Sequence, residues 1–247
     1  MYSCISKILI IVLLAIVSLL YGTDLKILAL RVDFIADNHG GTTGNGKFLL
    51  SSQDSKCGIY TVDPPPHDKS YFESQLRALN SYFRSVSNGQ FGIDLENSHI
   101  LPSDPELAYT LSDSMSFYHP FMSDLSQEER DVLHESRIVE LFSDAIITAY
   151  QSGNIIFSQY DLVVVFHAGV SQDFAFDFDS TPEDIPSTFI DYQMIRKHID
   201  DDWIYAGNTH IKNGIILSET QNHILFPEMV DEFRERGIQN VCNYQYG

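Results

Sequence analysis

The chain has 247 residues and carries 34 Asp plus Glu against 15 Lys plus Arg, a formal net charge of −19. A nucleic-acid binder needs a basic footprint, so this balance excludes nucleic acid and anionic membrane surfaces as natural partners. With 44% hydrophobic and 12% aromatic residues against 20% charged, the chain has enough apolar material for a packed core, which argues against global disorder.

The first 22 residues differ in kind from the rest. Lys7 is their only charge, and 8–20 is an almost unbroken apolar run that ends in Tyr21-Gly22, a signal-peptide pattern. Thirteen residues of helix span roughly 20 Å, short of the roughly 30 Å hydrocarbon core, so export is expected and a stable membrane span after cleavage is not. Loss of the leader removes Lys7 and Cys4, leaving 14 basic against 34 acidic residues, or −20, and two cysteines, Cys57 and Cys242. One disulfide between them would close a long loop and stabilise by about 4 to 5 kcal/mol, and two free buried thiols is the alternative.

In chain order, 25–34 is an aliphatic strand that runs into the turn-forming Asp37-Asn38-His39-Gly40-Gly41. Ser70 and Glu73 form an S-x-x-E box. Phe72, Leu76, Leu79, Phe83 and Val86 recur at helical spacing until Asn88-Gly89, which predicts an amphipathic helix with a left-handed cap. Phe91, Ile93 and Leu95 alternate as in a strand. Ser126 and Glu129 open a second helix whose stripe includes Ile138, Leu141, Phe142, Ala145, Ile146 and Ala149, with a stop at Gly153. The run 161–167, Asp-Leu-Val-Val-Val-Phe-His, is apolar on both faces and predicts a strand interior to a sheet covered by helices. From 173 to 202 there are nine acids against Arg196 and Lys197, read as a long acidic loop. A short strand over 214–217 and a helix over 226–236, stopped by Gly237, complete the order.

Several motifs carry chemistry on paper. Gly41 to Lys47 satisfies G-x-x-x-x-G-K after a strand, but Phe48 stands where Ser or Thr must reach magnesium and no helix opens after it, so a plain glycine-rich loop is expected. Ser171 lies where a nucleophile elbow would sit, but Asp173 replaces the small residue required two places on. His167 is expected to be a strand-end histidine bonded to backbone. Asp173, Asp177 and Asp179 offer clustered oxygen ligands for calcium, beside the plainer reading of a solvated acidic loop. His134-Glu135 begins like H-E-x-x-H, but Ile138 occupies the second histidine's place. An acid pair such as Asp161 and Asp173 would suit a carboxylate-based hydrolase only at a defined separation, which sequence does not show.

Three segments in order, Leu30-Arg-Val-Asp-Phe34, Ser81-Tyr-Phe-Arg-Ser-Val-Ser-Asn-Gly89 and Phe157-Ser-Gln-Tyr-Asp161 leading into Val163-Val-Val-Phe-His-Ala-Gly169, resemble the exported zinc metallopeptidases of the immune inhibitor A family. The resemblance covers roughly 25–247 and implies a metzincin-like α/β domain: a twisted mixed sheet with covering helices, incomplete at its C-terminus. It also implies a later helix bearing H-E-x-x-H, in which two His bind zinc and the Glu activates the zinc-bound water that attacks a peptide carbonyl. This chain contains no H-E-x-x-H, so no zinc ligand and no catalytic residue carries over. The expectation is a leader over 1–22 and, over 23–247, the N-terminal portion of an extracellular or cell-surface endopeptidase domain. Zinc and the protein or peptide substrate would belong to a full-length parent. The alternatives are a catalytically dead binding or surface module of the same fold, and an unrelated exported acidic calcium-binding domain. A domain so cut short is also expected to leave the 162–166 strand uncovered and to be poorly soluble.

Overall fold

The computed structural model describes residues 23–51, 65–153, 155–172 and 181–220. The leader, Cys57, Cys242, Asp173, Asp177, Asp179 and the helix expected over 226–236 lie outside the described residues.

The fold is mixed α/β. Its main sheet has six strands: β2 (Ile27–Asp33), β4 (His99–Leu101), β5 (Tyr109–Thr110), β6 (Leu162–Val170), β7 (Thr188–Ile190) and β10 (Gly214–Thr220). The order is β4-β2-β6-β10-β7, with β5 also paired to β2; all pairings are parallel except β10 with β7. β6 is central, as its two apolar faces required: it pairs with β2 (Leu30 opposite Val165) and with β10 (Ile216 opposite Val165). Two small ribbons flank the sheet, β1 (Thr23–Leu25) with β3 (Phe91–Ile93) and the hairpin β8 (Ile204–Ala206) with β9 (Thr209–Ile211).

One face of the sheet is sealed. Leu28, Leu30, Val32, Val163, Val165 and Ile216 meet α3 (Gln127–Gln151), with α2 (Met115–Tyr118) and α4 (Tyr192–His198) packed around it. α3 begins where the sequence places it. The Ser126 side chain accepts from the Glu129 N–H while the Glu129 carboxylate accepts from the Ser126 N–H at 2.9 Å, a complete capping box. Ile138, Leu141, Phe142, Ala145, Ile146 and Ala149 are all buried.

α1 (Lys69–Val86) covers the other face, and here two expectations are corrected. Its N-cap is Asp68, whose carboxylate accepts from the Tyr71 N–H at 3.1 Å; Ser70 lies inside the helix and donates to that carboxylate. A carboxylate at the helix start is favoured by the dipole, so Asp68 outcompetes Ser70 for the cap. The apolar stripe is also buried only in its first two turns, at Phe72 and Leu76, whereas Leu79 is 40% exposed. The helix ends as expected, at Asn88 (φ 52°) and Gly89 (φ 81°).

The strand Leu162–Phe166 is not left uncovered: Val164 is 4% exposed and Phe166 6%. The acidic loop is corrected as well. Between 181 and 202 it contains β7 and α4. Asp191 caps α4 by accepting from the Gln193 and Met194 N–H groups, and Asp202 pairs with Arg196. Among the described residues, no helix is long and apolar enough to cross a membrane.

Candidate functional site at the carboxyl ends of the parallel strands

Because β2, β6 and β10 run parallel and in register (Val32 opposite His167, His167 opposite Ser218), their carboxyl ends share one edge, the edge at which open α/β sheets bind ligands. The polar groups of the molecule that matter most gather there.

Glu219, at the end of β10, is the centre of the first cluster. Its Oε1 accepts from the Leu49 N–H and from His67 Nδ1–H, both at 2.7 Å, and its Oε2 accepts from the Gly169 N–H at 2.9 Å. The Glu219 and His67 side chains have no exposed surface. The His67 N–H also donates to the Leu49 carbonyl at 2.8 Å, and the Tyr71 hydroxyl donates to the Glu219 carbonyl at 3.2 Å. A buried carboxylate is tolerated only when donors surround it, and one side chain here joins four segments: the loop after β2, the approach to α1, the end of β6 and the end of β10. Gly169 adopts φ +97°, and an added Cβ would meet the Met115 thioether at 3.0 Å, so only glycine presents this N–H to Glu219 without strain.

The second cluster is the glycine-rich loop. Thr43 donates to Asp184 twice, from its N–H and from its hydroxyl, each at 2.6 Å, and Asp184 is fully buried. Glu183 takes His39 on one oxygen and the Phe121 N–H on the other at 2.8 Å, while Lys47 pairs with Asp33 at 3.1 Å. The loop that resembles a phosphate cradle therefore cradles the protein's own carboxylates. Residues 48–51 form no helix, in keeping with the sequence argument against nucleotide binding.

The third cluster lies beside it. His119 lies against His134 with ring centroids 4.1 Å apart and the ring planes tilted by 42°, and His134 Nε2–H donates to the Pro120 carbonyl at 2.8 Å. Burial, reinforced by His134, pushes His119 down to about 4. The Tyr118 hydroxyl donates to Asp144 at 2.8 Å; burial raises both groups, the tyrosine further by its proximity to that carboxylate.

The other sequence candidates resolve as structural groups. His167 is fully buried, with Nδ1–H donating to the Ala168 carbonyl at 2.9 Å. The Ser171 hydroxyl is buried, accepts from the Ser187 N–H at 3.0 Å and lies 3.1 Å from the Ser187 hydroxyl, so it is no exposed nucleophile. Glu135 accepts from Lys197 and His198, and Ile138 is buried in the core. Asp161 accepts from the Lys26 N–H at 2.9 Å. Among the described residues, no three His, Cys, Asp or Glu side chains are arranged to hold a metal ion. Sequence reasoning missed Glu219, His67 and Asp184. The one local signal for Glu219 is an acid at the end of an apolar strand run, and its histidine lies 152 residues away.

No family model, curated protein or solved structure matches the chain.

Proposed function

We propose that this chain supplies the supporting sheet of an exported zinc-dependent endopeptidase and does not itself carry the reaction centre. One observation supports this reading above the others: the three segments that carry the family resemblance, far apart in sequence, meet as one unit. Leu30-Arg-Val lies on Val165-Phe-His across the β2–β6 pair. Phe157–Gln159 forms a 3-10 turn that leads into β6. Ser81 to Gly89 is the last part of α1 with its cap, and Phe83 packs against the cluster built from Ile27, Ala29, Val164 and Phe166. Arg31 anchors that unit. It is fully buried and donates to the carbonyls of Pro102, Asp104 and Pro105 at 3.0, 2.5 and 2.7 Å.

Among the described residues, no three His, Cys, Asp or Glu side chains are placed to hold a metal ion, and the oxygens of Glu219 and Asp184 accept from N–H and O–H donors of the protein. What this chain does is positional: it holds the ends of β6 and β10 at a fixed spacing through Glu219, and so sets where the chain after β10 leaves the sheet. The reading frame after Gly247 tests the proposal. It is expected to encode H-E-x-x-H within about one helix and loop, and a stop codon there in well-covered source DNA would contradict it.

A further inference from the structure

The segment 119–125 carries the chain from α2 to α3 with no helix or strand of its own, and residues 121–124 are all exposed. Three of its attachments to the rest of the molecule run through titratable side chains. His119, at the end of α2, is 7% exposed and hydrogen-bonded to the backbone of Pro182 and Asp184. The Pro120 carbonyl accepts from His134, and the Phe121 N–H donates to Glu183, both at 2.8 Å. The segment is thereby tied to residues 181–184, which in turn hold the glycine-rich loop: the Glu183 N–H donates to the Gly41 carbonyl at 2.9 Å, and Asp184 takes Thr43.

We propose that 119–125 is an acid-released strap, lifted off residues 181–184 when His119 takes a proton from solvent, while the sheet stays folded. The geometry supplies the reason. His119 Nδ1 is buried and, among the described residues, has no hydrogen-bond partner. In the neutral ring that leaves one acceptor unpaired; in the imidazolium it would bury an N–H and a charge with nothing to receive them. His134, whose ring centroid lies 4.1 Å from that of His119, would repel the new charge.

The acids on the surrounding elements are already engaged. Glu183 holds the Phe121 N–H and His39, Asp184 holds Thr43, Asp144 of α3 accepts from Tyr118, and Glu140 of α3 pairs with Arg137. The far end of the segment is fixed by a group that acid does not alter, since Arg130 donates to the Leu125 carbonyl at 2.6 Å. The strap is therefore released at one end and tethered at the other.

In solvent His119 titrates near 6.5 and in its closed place at about 4, so the open strap binds the proton more tightly, and opening is favoured as pH falls between those values. From the two values, the ratio of open to closed strap is expected to rise about twentyfold from pH 7 to pH 5. This inference concerns the fold as it stands and holds independently of any peptidase role.

The test is amide exchange of the full chain at pH 7, 6 and 5, with each rate divided by the intrinsic rate at that pH. Peptides covering 117–125 and 181–187 are expected to lose protection about twentyfold from pH 7 to pH 5, while peptides from β2 and β6 keep theirs. His119→Gln, which cannot take up the proton, is expected to hold strap protection constant across that range, and Glu183→Gln to leave the dependence in place. The comparison of strap with sheet in the wild type needs no variant: equal loss in both would mean global unfolding and would overturn the proposal, as would strap protection that does not change with pH. A His119→Gln protein that keeps the wild-type dependence would also overturn it. So would a Glu183→Gln protein that loses the dependence, which would assign the switch to the carboxylate.

Discussion

Glu219 accepts three hydrogen bonds on the two oxygens of a fully buried side chain, so replacing one oxygen by an NH2 group sets donor against donor. Glu219→Gln is therefore expected to lower unfolding free energy in urea by about 2 to 4 kcal/mol, the range for losing charge-assisted bonds and leaving a buried N–H unpaired. A loss under about 0.5 kcal/mol would show that the clasp contributes little. His119 makes a prediction with the opposite chemistry. It is neutral in the fold because burial and His134 hold it near 4, whereas in the unfolded chain it titrates near 6.5. Between those values the unfolded state binds more protons. The contribution of His119 is thus complete above about pH 6.5 and is lost as pH falls toward about 4, amounting to roughly 3 kcal/mol. Asp144, raised by burial, takes up its proton more readily when folded and offsets part of this loss in acid. Urea midpoints at pH 7 and pH 4.5 check the account: His119→Gln is expected to flatten the acid limb, and an unchanged slope would contradict it. None of these roles was legible from sequence. An acid in a strongly acidic chain reads as solvated, and the partners that make Glu219 and Asp184 structural lie 50 to 170 residues away.

At the scale of elements, local rules succeeded wherever one segment carries its own signal. The Ser126–Glu129 box, the α3 stripe, the Asn88-Gly89 cap and the doubly apolar β6 all stand as the residues imply. They failed where two candidates compete within a few residues, as Asp68 and Ser70 do, and where composition stood in for geometry, as in 181–202. β10 extends to Thr220, beyond the expected 214–217, because Ser218, Glu219 and Thr220 are buried polar residues with no apolar pattern to announce them. The contact between β10 and α3 is tight enough to test directly. A Cβ on Gly214 would clash with the edge of the Phe142 ring and lie 2.8 Å from the Val163 carbonyl oxygen. Gly214→Ala is expected to cost about 1 to 3 kcal/mol of stability by overpacking, and Gly214→Ala with Phe142→Leu to recover part of it. A neutral Gly214→Ala would mean that β10 and α3 separate more freely than their packing indicates.

For the molecule as a whole, an acidic, mixed α/β chain was legible at the level of class, and the parallel order of the sheet follows from the alternation of strands and helices along it. The assembly of a carboxyl edge from residues 43, 67, 169, 184 and 219 was not, because each pairing depends on topology that periodicity does not encode. That edge is filled by the protein's own carboxylates and their donors. The central claim is that this sheet belongs to a peptidase whose reaction centre lies elsewhere in its parent. Casein hydrolysis by the zinc-loaded product of the entire reading frame, before and after chelation, tests it most directly. The account predicts chelator-sensitive cleavage by that product and none by the folded 23–247 segment; an inert full product, or chelator-sensitive cleavage by 23–247 alone, would contradict it.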